Sequence, residues 1–388
     1  MTPGARVAAA IEILDQIADG QAAEAALTRW ARRSRFAGSK DRAAVRDHVF
    51  GVLRSYRLAA HYGGAETGRG LMAGLMRAQG LPPETLFTGE GHAPEPLSAQ
   101  EAGPVTPPED RGVQWNLPDW LLPGFEESLG QDAGRTAVLL QQRAPVALRV
   151  NTRRATREAA MKALEAEGII TVPTSISDTA LIVTEGARRV RNSTAFQNGV
   201  VELQDAASQA VIETLPYARR LLDLCAGGGG KSLALAADAG RHIFAHDIDP
   251  SRMQDIPRRA ARAGVEIEIL ETGALKRNAP FDMVLCDVPC SGSGAWRRAP
   301  EGKWTLTPQR FADLNRLQDE ILKQAAELTG PGGILAYATC SVLKQENEAR
   351  IDDFLRQNAG WRCTFSKRFD VCEEADGFFV AHLKRKQS

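Results

Sequence analysis

Apolar residues recur at helical spacing from the start of the chain, with Ala8, Ile11, Leu14 and Ile17 on one stripe. The same spacing runs through 22–33 and 41–61, where Val45, Val49, Val52 and Leu53 share a side. Residues 1–84 therefore predict an N-terminal all-α domain. From about Thr85 the composition shifts to Pro, Gly and Glu with few large apolar residues (GEGHAPEPLSAQEAGPVTPPED), which predicts a poorly ordered linker over 85–114. Patterning resumes at Trp115. A strand at 146–150, a helix at 156–167 and further strands, including 180–184 and 199–203, predict a small α/β subdomain within 115–205.

From Leu221 short apolar runs alternate with helical stretches. Strands are predicted at 221–225, 242–247, 265–270, 282–287, 334–339 and 377–383, with helices at 230–239, 250–263, 308–329 and 345–358. Such alternation over 206–388 predicts an α/β fold with a doubly wound, mostly parallel sheet and helices on both faces. Ligands bind that architecture at the carboxyl ends of the strands. Three segments then share one rim: the loop Gly227 to Gly230, Asp287 to Cys290, and Thr339 to Ser341.

With 43% hydrophobic and 25% charged residues, the 388-residue chain suits a globular protein of two or three domains. No apolar run approaches the roughly 18 residues of a membrane span, so no membrane partner is expected. The first twenty residues carry acids inside their apolar pattern and read as an amphipathic helix rather than a signal peptide. Six cysteines (225, 286, 290, 340, 363 and 372) form no C-x-x-C pair. They predict reduced thiols in a cytoplasmic setting, with no metal site.

A formal net charge of zero hides an asymmetry. Between Leu27 and Ala60 lie Arg29, Arg32, Arg33, Arg35, Lys40, Arg42, Arg46, Arg54 and Arg57, against only Asp41 and Asp47. A solvated helical face and a nucleic-acid contact are both open readings. Arg149, Arg153, Arg154 and Arg157 form a second basic cluster with the same two readings.

The rim carries the candidate chemistry. Four consecutive glycines between a strand and a helix let backbone N–H groups approach a ligand that a Cβ would push away. The next strand ends at Asp247, the usual position for an acid that holds ribose hydroxyls. Cys290 and Cys340 are expected to share a pocket with Asp287 and Lys231, whose charge would favour a thiolate. Cys225 and Cys286 read as structural, and Cys363 and Cys372 as inert. Beyond Cys290, Trp296, Arg297, Arg298, Lys303 and Trp304 interleave cations with indoles, which suits phosphate contact with base stacking or, alternatively, a solvated loop over packed tryptophans.

Seven motifs in one order carry a family resemblance: LRVN (148–151), LQDAASQ (203–209), DLCAGGGGK (223–231), DIDPSRM (247–253), CDVPCSGSG (286–294), RRAPEGKW (297–304) and YATCSVLKQENE (337–348). The chain resembles the Nop/Sun family of RNA cytosine-5 methyltransferases over about 115–383. Its N-terminal helices resemble, more weakly, the NusB-like module of the bacterial ribosomal members. The resemblance implies a Rossmann-like class I methyltransferase domain, an RNA-binding NusB-like domain and a small α/β RNA-binding subdomain. It implies that Cys340 is the nucleophile, that Cys290 serves product release, and that Asp287 and Lys231 act beside them. Cys225, Ala226, Gly227, Gly228, Gly229, Gly230 and Lys231, with Asp247 and Asp287, would hold S-adenosylmethionine. Arg149, Asn151, Arg297, Arg298 and Lys303 would contact RNA, most naturally small-subunit ribosomal RNA. Two departures stand out. Gly227-Gly228 replaces the family's usual Ala-Pro, and Glu271-Thr272-Gly273 stands where an Asp near the adenine is frequent. A transfer RNA methyltransferase, a non-catalytic ribosome-assembly factor and an NAD-dependent oxidoreductase are the competing readings. The last leaves the paired thiols idle.

Overall fold

In the computed structural model, which describes residues 1–386, contacts divide the chain into two units. The first comprises Met1–Pro123, Leu140–Gln142 and Ala299–Thr305, and the second comprises Gly124–Leu139, Arg143–Arg298 and Leu306–Ser388.

The first unit is helical: Pro3–Ala18, Ala23–Arg33, Ser39–Arg54, Tyr56–Gly63 and Gly68–Ala78. Pro3 opens the first helix where its missing N–H costs nothing, and Thr2 caps the Ala5 N–H at 3.2 Å. The apolar stripes meet in one core that includes Val7, Ile13, Val45, Val49, Leu71 and Met72. The expected continuous helix over 41–61 is broken at Ser55, whose φ of −121° and ψ of 33° leave the helical region. The stretch 85–114 is not a loose linker. Arg69 donates to the Glu101 carboxylate (2.7 Å) and to the carbonyls of Glu95 and Pro96, both at 3.0 Å, and Phe87 is buried in the helical core. Arginine–carbonyl bonds do there what apolar burial does elsewhere, which is why hydropathy misses the attachment.

Within the basic face of this unit, Arg46 pairs with Glu24, and Arg57 with Asp110 and Asp119, while Arg32, Arg33, Arg35 and Lys40 are exposed. Lys303 and Trp304 lie inside the unit. Lys303 is 1% exposed and donates to the Arg54 carbonyl at 3.4 Å, and burial pulls its pKa down to about 7. Trp304 donates to the Leu53 carbonyl at 2.6 Å and packs 5.2 Å from the Tyr56 ring. Neither is the surface RNA contact expected of it, because Lys303 is buried and a backbone carbonyl takes the single Trp304 N–H.

The second unit holds two sheets. The smaller contains β1 (Val146–Val150), β2 (Ile170–Pro173), β3 (Ala180–Glu185) and β4 (Val201–Leu203), antiparallel in the order β2-β3-β1-β4. The larger contains β5 (Arg220–Asp223), β6 (His242–Ala245), β7 (Glu268–Ile269), β8 (Phe281–Asp287), β9 (Thr329–Thr339), β10 (Trp361–Phe369) and β11 (Phe378–Arg385), in the order β10-β11-β9-β8-β5-β6-β7. β5 to β9 run parallel, and β11 and β10 close the edge antiparallel. Period-two alternation makes the sheet two-sided. Leu222, Val284 and Tyr337 face a core shared with Leu322 and Ile351, while Leu221, Met283 and Leu285 face Leu215 and Leu235. This is the doubly wound sheet the alternation predicts. β10 escaped the sequence reading because its pattern is mostly exposed, as an edge strand allows. Among the described residues no helix is long and apolar enough to cross a membrane.

The small sheet is anchored to the large one through the helix Ile256–Ala263. Asn151 is 7% exposed, and its Nδ2 donates to the carbonyls of Gly199 (3.0 Å) and Ala263 (2.8 Å). It fastens the seam and is not available to RNA. Gly199 has φ +68°, and a Cβ there would lie 2.1 Å from the Arg262 carbonyl oxygen. Gly199→Ala should therefore destabilise the protein by about 2–4 kcal/mol, combining left-handed strain with overpacking. Urea unfolding measures this, and an unchanged midpoint would refute the tight seam.

Candidate active site

β5 is the point at which the sheet order reverses, with β6 on one side and β8 on the other. A crevice opens there at the strand ends. The loop leaving β5 is tied across it: Ala226 N–H donates to the His246 carbonyl (2.8 Å) and Gly227 N–H to Asp247 Oδ2 (2.9 Å). Gly229 has φ +79°, and a Cβ on it would meet Ile256 Cγ1 at 2.8 Å, so the run needs glycine here for both conformation and space. Gly228 accepts from Arg259, and Gly230 accepts from Arg149 at 2.8 Å. Arg149 also donates to Gln204 Oε1 at 2.5 Å. It is 7% exposed, and burial lowers its pKa to about 10. Arg149 thus braces the glycine loop from β1 and does not face RNA.

Two carboxylates flank the loop. Asp247 is 2% exposed and accepts from Gly227 and Asp249, with Arg252 3.1 Å away. Asp223 accepts from Ser232 Oγ at 2.6 Å, while its buried Oδ1 has no partner among the described residues. Burial, abetted by nearby Asp287, pushes Asp223 up to about 7. Sequence reading passed over Asp223 as a strand residue, and passed over Ile248, which follows Asp247 and is 77% exposed. A large apolar side chain so exposed beside a buried acid is the signal that marks it. Thr272, at the position where the family's Asp is missing, bonds to His246 Nε2 at 3.0 Å. Burial pushes the Cys225 thiol far up, consistent with a structural residue.

Lys231 and Asp287 meet at 2.5 Å. Burial opposes the ammonium charge, but the Asp287 carboxylate outweighs it and holds the Lys231 pKa above the ordinary value. Cys290 Sγ and Cys340 Sγ lie 3.5 Å apart. The bond to Cys340 and then burial push the Cys290 thiol well above its usual range, with the Glu346 carboxylate adding to the shift. Glu346 was missed entirely in the sequence. It is fully buried and accepts from Ser291 N–H (2.7 Å), Ser291 Oγ (2.5 Å) and Gln318 Nε2 (3.2 Å). One residue into the predicted helix 345–358, it carried no local sign of a buried role.

The two thiol loops are laced together. Gly294 N–H donates to the Cys340 carbonyl at 2.9 Å, Ser293 Oγ meets Ser341 Oγ at 2.8 Å, and Asn347 donates to the Ser341 carbonyl at 2.9 Å. Of the cations beyond Cys290, Arg297 turns inward and Arg298 stays exposed while pairing with carboxylates. Arg297 is 1% exposed and donates to Asp376 (2.6 Å) and the Cys372 carbonyl (2.8 Å). Arg298 pairs with Asp376 and Asp205 and donates to the Pro145 carbonyl. Trp296 is buried and donates to the Ser291 carbonyl at 3.1 Å. The expected phosphate and stacking contacts do not hold for Trp296 and Arg297, which are buried, while Asp205 and Asp376, distant in sequence, pair with the two guanidinium groups.

A protonated thiol against a second thiol, beside an ammonium–carboxylate pair at the mouth of a glycine loop, suits covalent addition of sulfur to an electron-poor substrate. Comparison with known proteins adds to the geometry. Residues 214–384 match the family described as 16S rRNA methyltransferase RsmB/F, and residues 117–190 match an RsmF/B-like, ferredoxin-like domain. The chain is 32% identical over 289 residues to ribosomal RNA small subunit methyltransferase B of Klebsiella pneumoniae (strain 342), covering 70% of this chain and 66% of the relative. It is 33% identical over 288 residues to the protein of that name from Vibrio cholerae, with the same coverage. The chain thus matches about two-thirds of the length of these curated relatives. Among solved structures, that of PH0851 superposes with a TM-score of 0.79 at 22% identity over 99% of each chain. NSun6 from Pyrococcus horikoshii, solved with SFG, gives 0.60 at 17% identity over 70% of this chain and 99% of that one. These two likenesses concern the fold.

The buried carboxylate behind Cys290 has a measurable consequence. Glu346→Gln removes a negative charge that holds the thiol protonated, so Cys290 should alkylate with iodoacetamide severalfold faster at pH 7–8. Peptide mass mapping reads the rate, and an unchanged rate would separate Glu346 from the thiol.

Proposed function

The chain belongs to the RsmB/F family of ribosomal RNA methyltransferases, and on that premise we propose that it transfers a methyl group from S-adenosylmethionine to C5 of a cytosine in RNA. Small-subunit ribosomal RNA is the substrate we propose. The observation that carries this reading is the 3.5 Å contact between Cys290 and Cys340 beside the Lys231–Asp287 pair. A binding module needs none of these groups, and an NAD-dependent oxidoreductase would leave the paired thiols idle.

The residues of the crevice fit the cofactor. Asp223 presents a buried oxygen without a partner among the described residues, Asp247 a buried carboxylate, and Ile248 an exposed apolar surface. In this reading Cys225 to Lys231 with Asp247 and Asp287 would hold it, and Arg252 would yield Asp247 to the ribose. When bound, S-adenosylmethionine supplies an electrophilic methyl group. Cytosine C5 is too weakly nucleophilic to take that methyl unaided. Cys340, as thiolate, adds to C6, and the displaced electron pair makes C5 nucleophilic. The Lys231–Asp287 pair offers a proton at the N3 edge, where negative charge develops. After transfer, loss of the C5 proton expels Cys340, and Cys290 is close enough to assist that release. The target base must be unpaired or extruded, since C6 is shielded within a stacked helix.

We assign the division of labour as residues 1–84 for RNA affinity, 85–114 as connection, 115–205 as a second RNA-facing subdomain and 206–388 for chemistry. All six cysteines are free, which supports a reducing, cytoplasmic setting.

The two thiols should have opposite phenotypes. Cys340→Ala should give neither methylation nor a covalent RNA adduct. Cys290→Ala should accumulate enzyme attached to RNA, seen as a band that survives denaturing electrophoresis and vanishes with ribonuclease. Identical behaviour of the two variants, or an adduct from Cys340→Ala, would overturn this assignment of roles. Methylation surviving both substitutions would end the two-thiol mechanism.

A further inference from the structure

Four arginines converge on a cleft of about 560 Å³ that the proposed chemistry does not use. Arg191 comes from the 3-10 segment Ala187–Asn192, and Arg258, Arg259 and Arg262 from the helix Ile256–Ala263. The helical spacing puts the last three on one side of their helix. Two carboxylates answer them: Glu202 of β4 pairs with Arg262 at 2.5 Å and Arg259 at 3.6 Å, and Asp255 pairs with Arg258 at 2.9 Å. Arg191 is exposed and has no side-chain partner among the described residues. Positive charge is therefore in excess in a concave site, where the field is focused rather than dispersed.

Resting on the RNA reading above, we infer that this cleft receives phosphate groups of the RNA strand and engages them without reading sequence. Arg262 is fixed in direction, its guanidinium 4.2 Å from the Phe196 ring centroid. Phe196 itself is buried beneath it, so no exposed ring is offered for base stacking. What remains at the surface is guanidinium, the group suited to phosphate oxygens. The cleft also adjoins the cofactor loop, because Arg259 donates to the Gly228 carbonyl. A strand held there passes beside the cofactor loop. Arg191 and Arg258 contribute only charge to this surface, whereas Arg259 and Arg262 also brace the fold.

The test uses the full chain and fluorescein-labelled oligocytidylate and oligouridylate, with anisotropy measured across a salt series. Arg191→Gln/Arg258→Gln should weaken binding of both oligomers alike, and the slope of log affinity against log salt should shrink by about 0.7 per phosphate lost. Arg191→Gln alone should give a smaller change of the same kind. Calorimetric affinity for S-adenosylmethionine and the thermal midpoint should not move. A slope and affinity equal to those of the unsubstituted chain would overturn the proposal, as would a loss confined to one oligomer. Displacement by polyglutamate as effective as that by RNA would assign the cleft to an acidic protein instead and overturn it too. Because the readout needs no turnover, failure of the unsubstituted chain to methylate RNA would remove the proposed activity and leave the cleft standing.

Discussion

The contact between Lys231 and Asp287 joins the two halves of the crevice, and most of the site's geometry depends on it. Lys231 sits at the start of the helix that follows the glycine loop, and Asp287 ends β8, three residues before Cys290. An ammonium only 9% exposed would shed its proton if it were unpaired. The carboxylate 2.5 Å away reverses that tendency, and the Phe378 ring 5.2 Å from Nζ gives the cation a second face. Buried pairs of this kind add little net stability, yet losing one partner costs about 3–5 kcal/mol by stranding the other charge. The glycine loop and the cysteine loop are therefore held at a fixed separation by a bond that neither can release alone. Asp223, one strand over, is pushed up to about 7 chiefly by its own burial, with the Asp287 charge adding to the rise.

Around that pair the structure spends polar groups rather than apolar ones on rigidity. Glu346 has no solvent contact and takes three donors, two of them from Ser291 next to Cys290. Gln318 reaches the same carboxylate and also the Pro289 carbonyl at 3.0 Å, so a long helix backs the loop directly. Such a network is expensive if half satisfied and stiff when complete. Sulfur chemistry benefits from the stiffness, because an attacking atom must be aligned before the reaction begins.

The doubly wound sheet was legible because its strands alternate between two buried faces and its helices keep a 3.6-residue stripe. The three rim segments were legible for the same reason, since strand ends locate them whatever their chemistry. Position along a strand says where a side chain starts, however, not what meets it. Arg149, Arg297 and Lys303 looked like phosphate ligands because each is a cation in a polar loop or at a strand end. Their partners, Gln204 and Gly230 for the first, Asp376 for the second and the Arg54 carbonyl for the third, lie 55 and 81, 79 and 249 residues away. No local pattern reports such pairings. The strap at 85–110 fails for a related reason: its attachment runs through Arg69 to backbone carbonyls, which leave no hydropathy signal. β10 shows the opposite case, an exposed edge strand whose polar residues disguise regular structure.

The surroundings also distinguish two thiols that the sequence presents almost identically, each followed by serine after an apolar strand. Cys290 has Glu346 behind it and Cys340 in front, and the bond to Cys340, burial and the Glu346 charge keep its proton in place. Cys340 lies on the other side of the contact, and a negative charge on it would be felt by the Lys231 ammonium. A thiol held protonated at 3.5 Å can donate a hydrogen bond to the neighbouring sulfur. Charge on the pair is therefore disfavoured on Cys290. In the proposed reaction the attacking sulfur must be the one that carries negative charge. The departing sulfur, being the same atom, leaves most easily when a hydrogen-bond donor waits beside it. One fixed arrangement serves both demands, which is why two cysteines in contact are worth more here than one cysteine and a separate base.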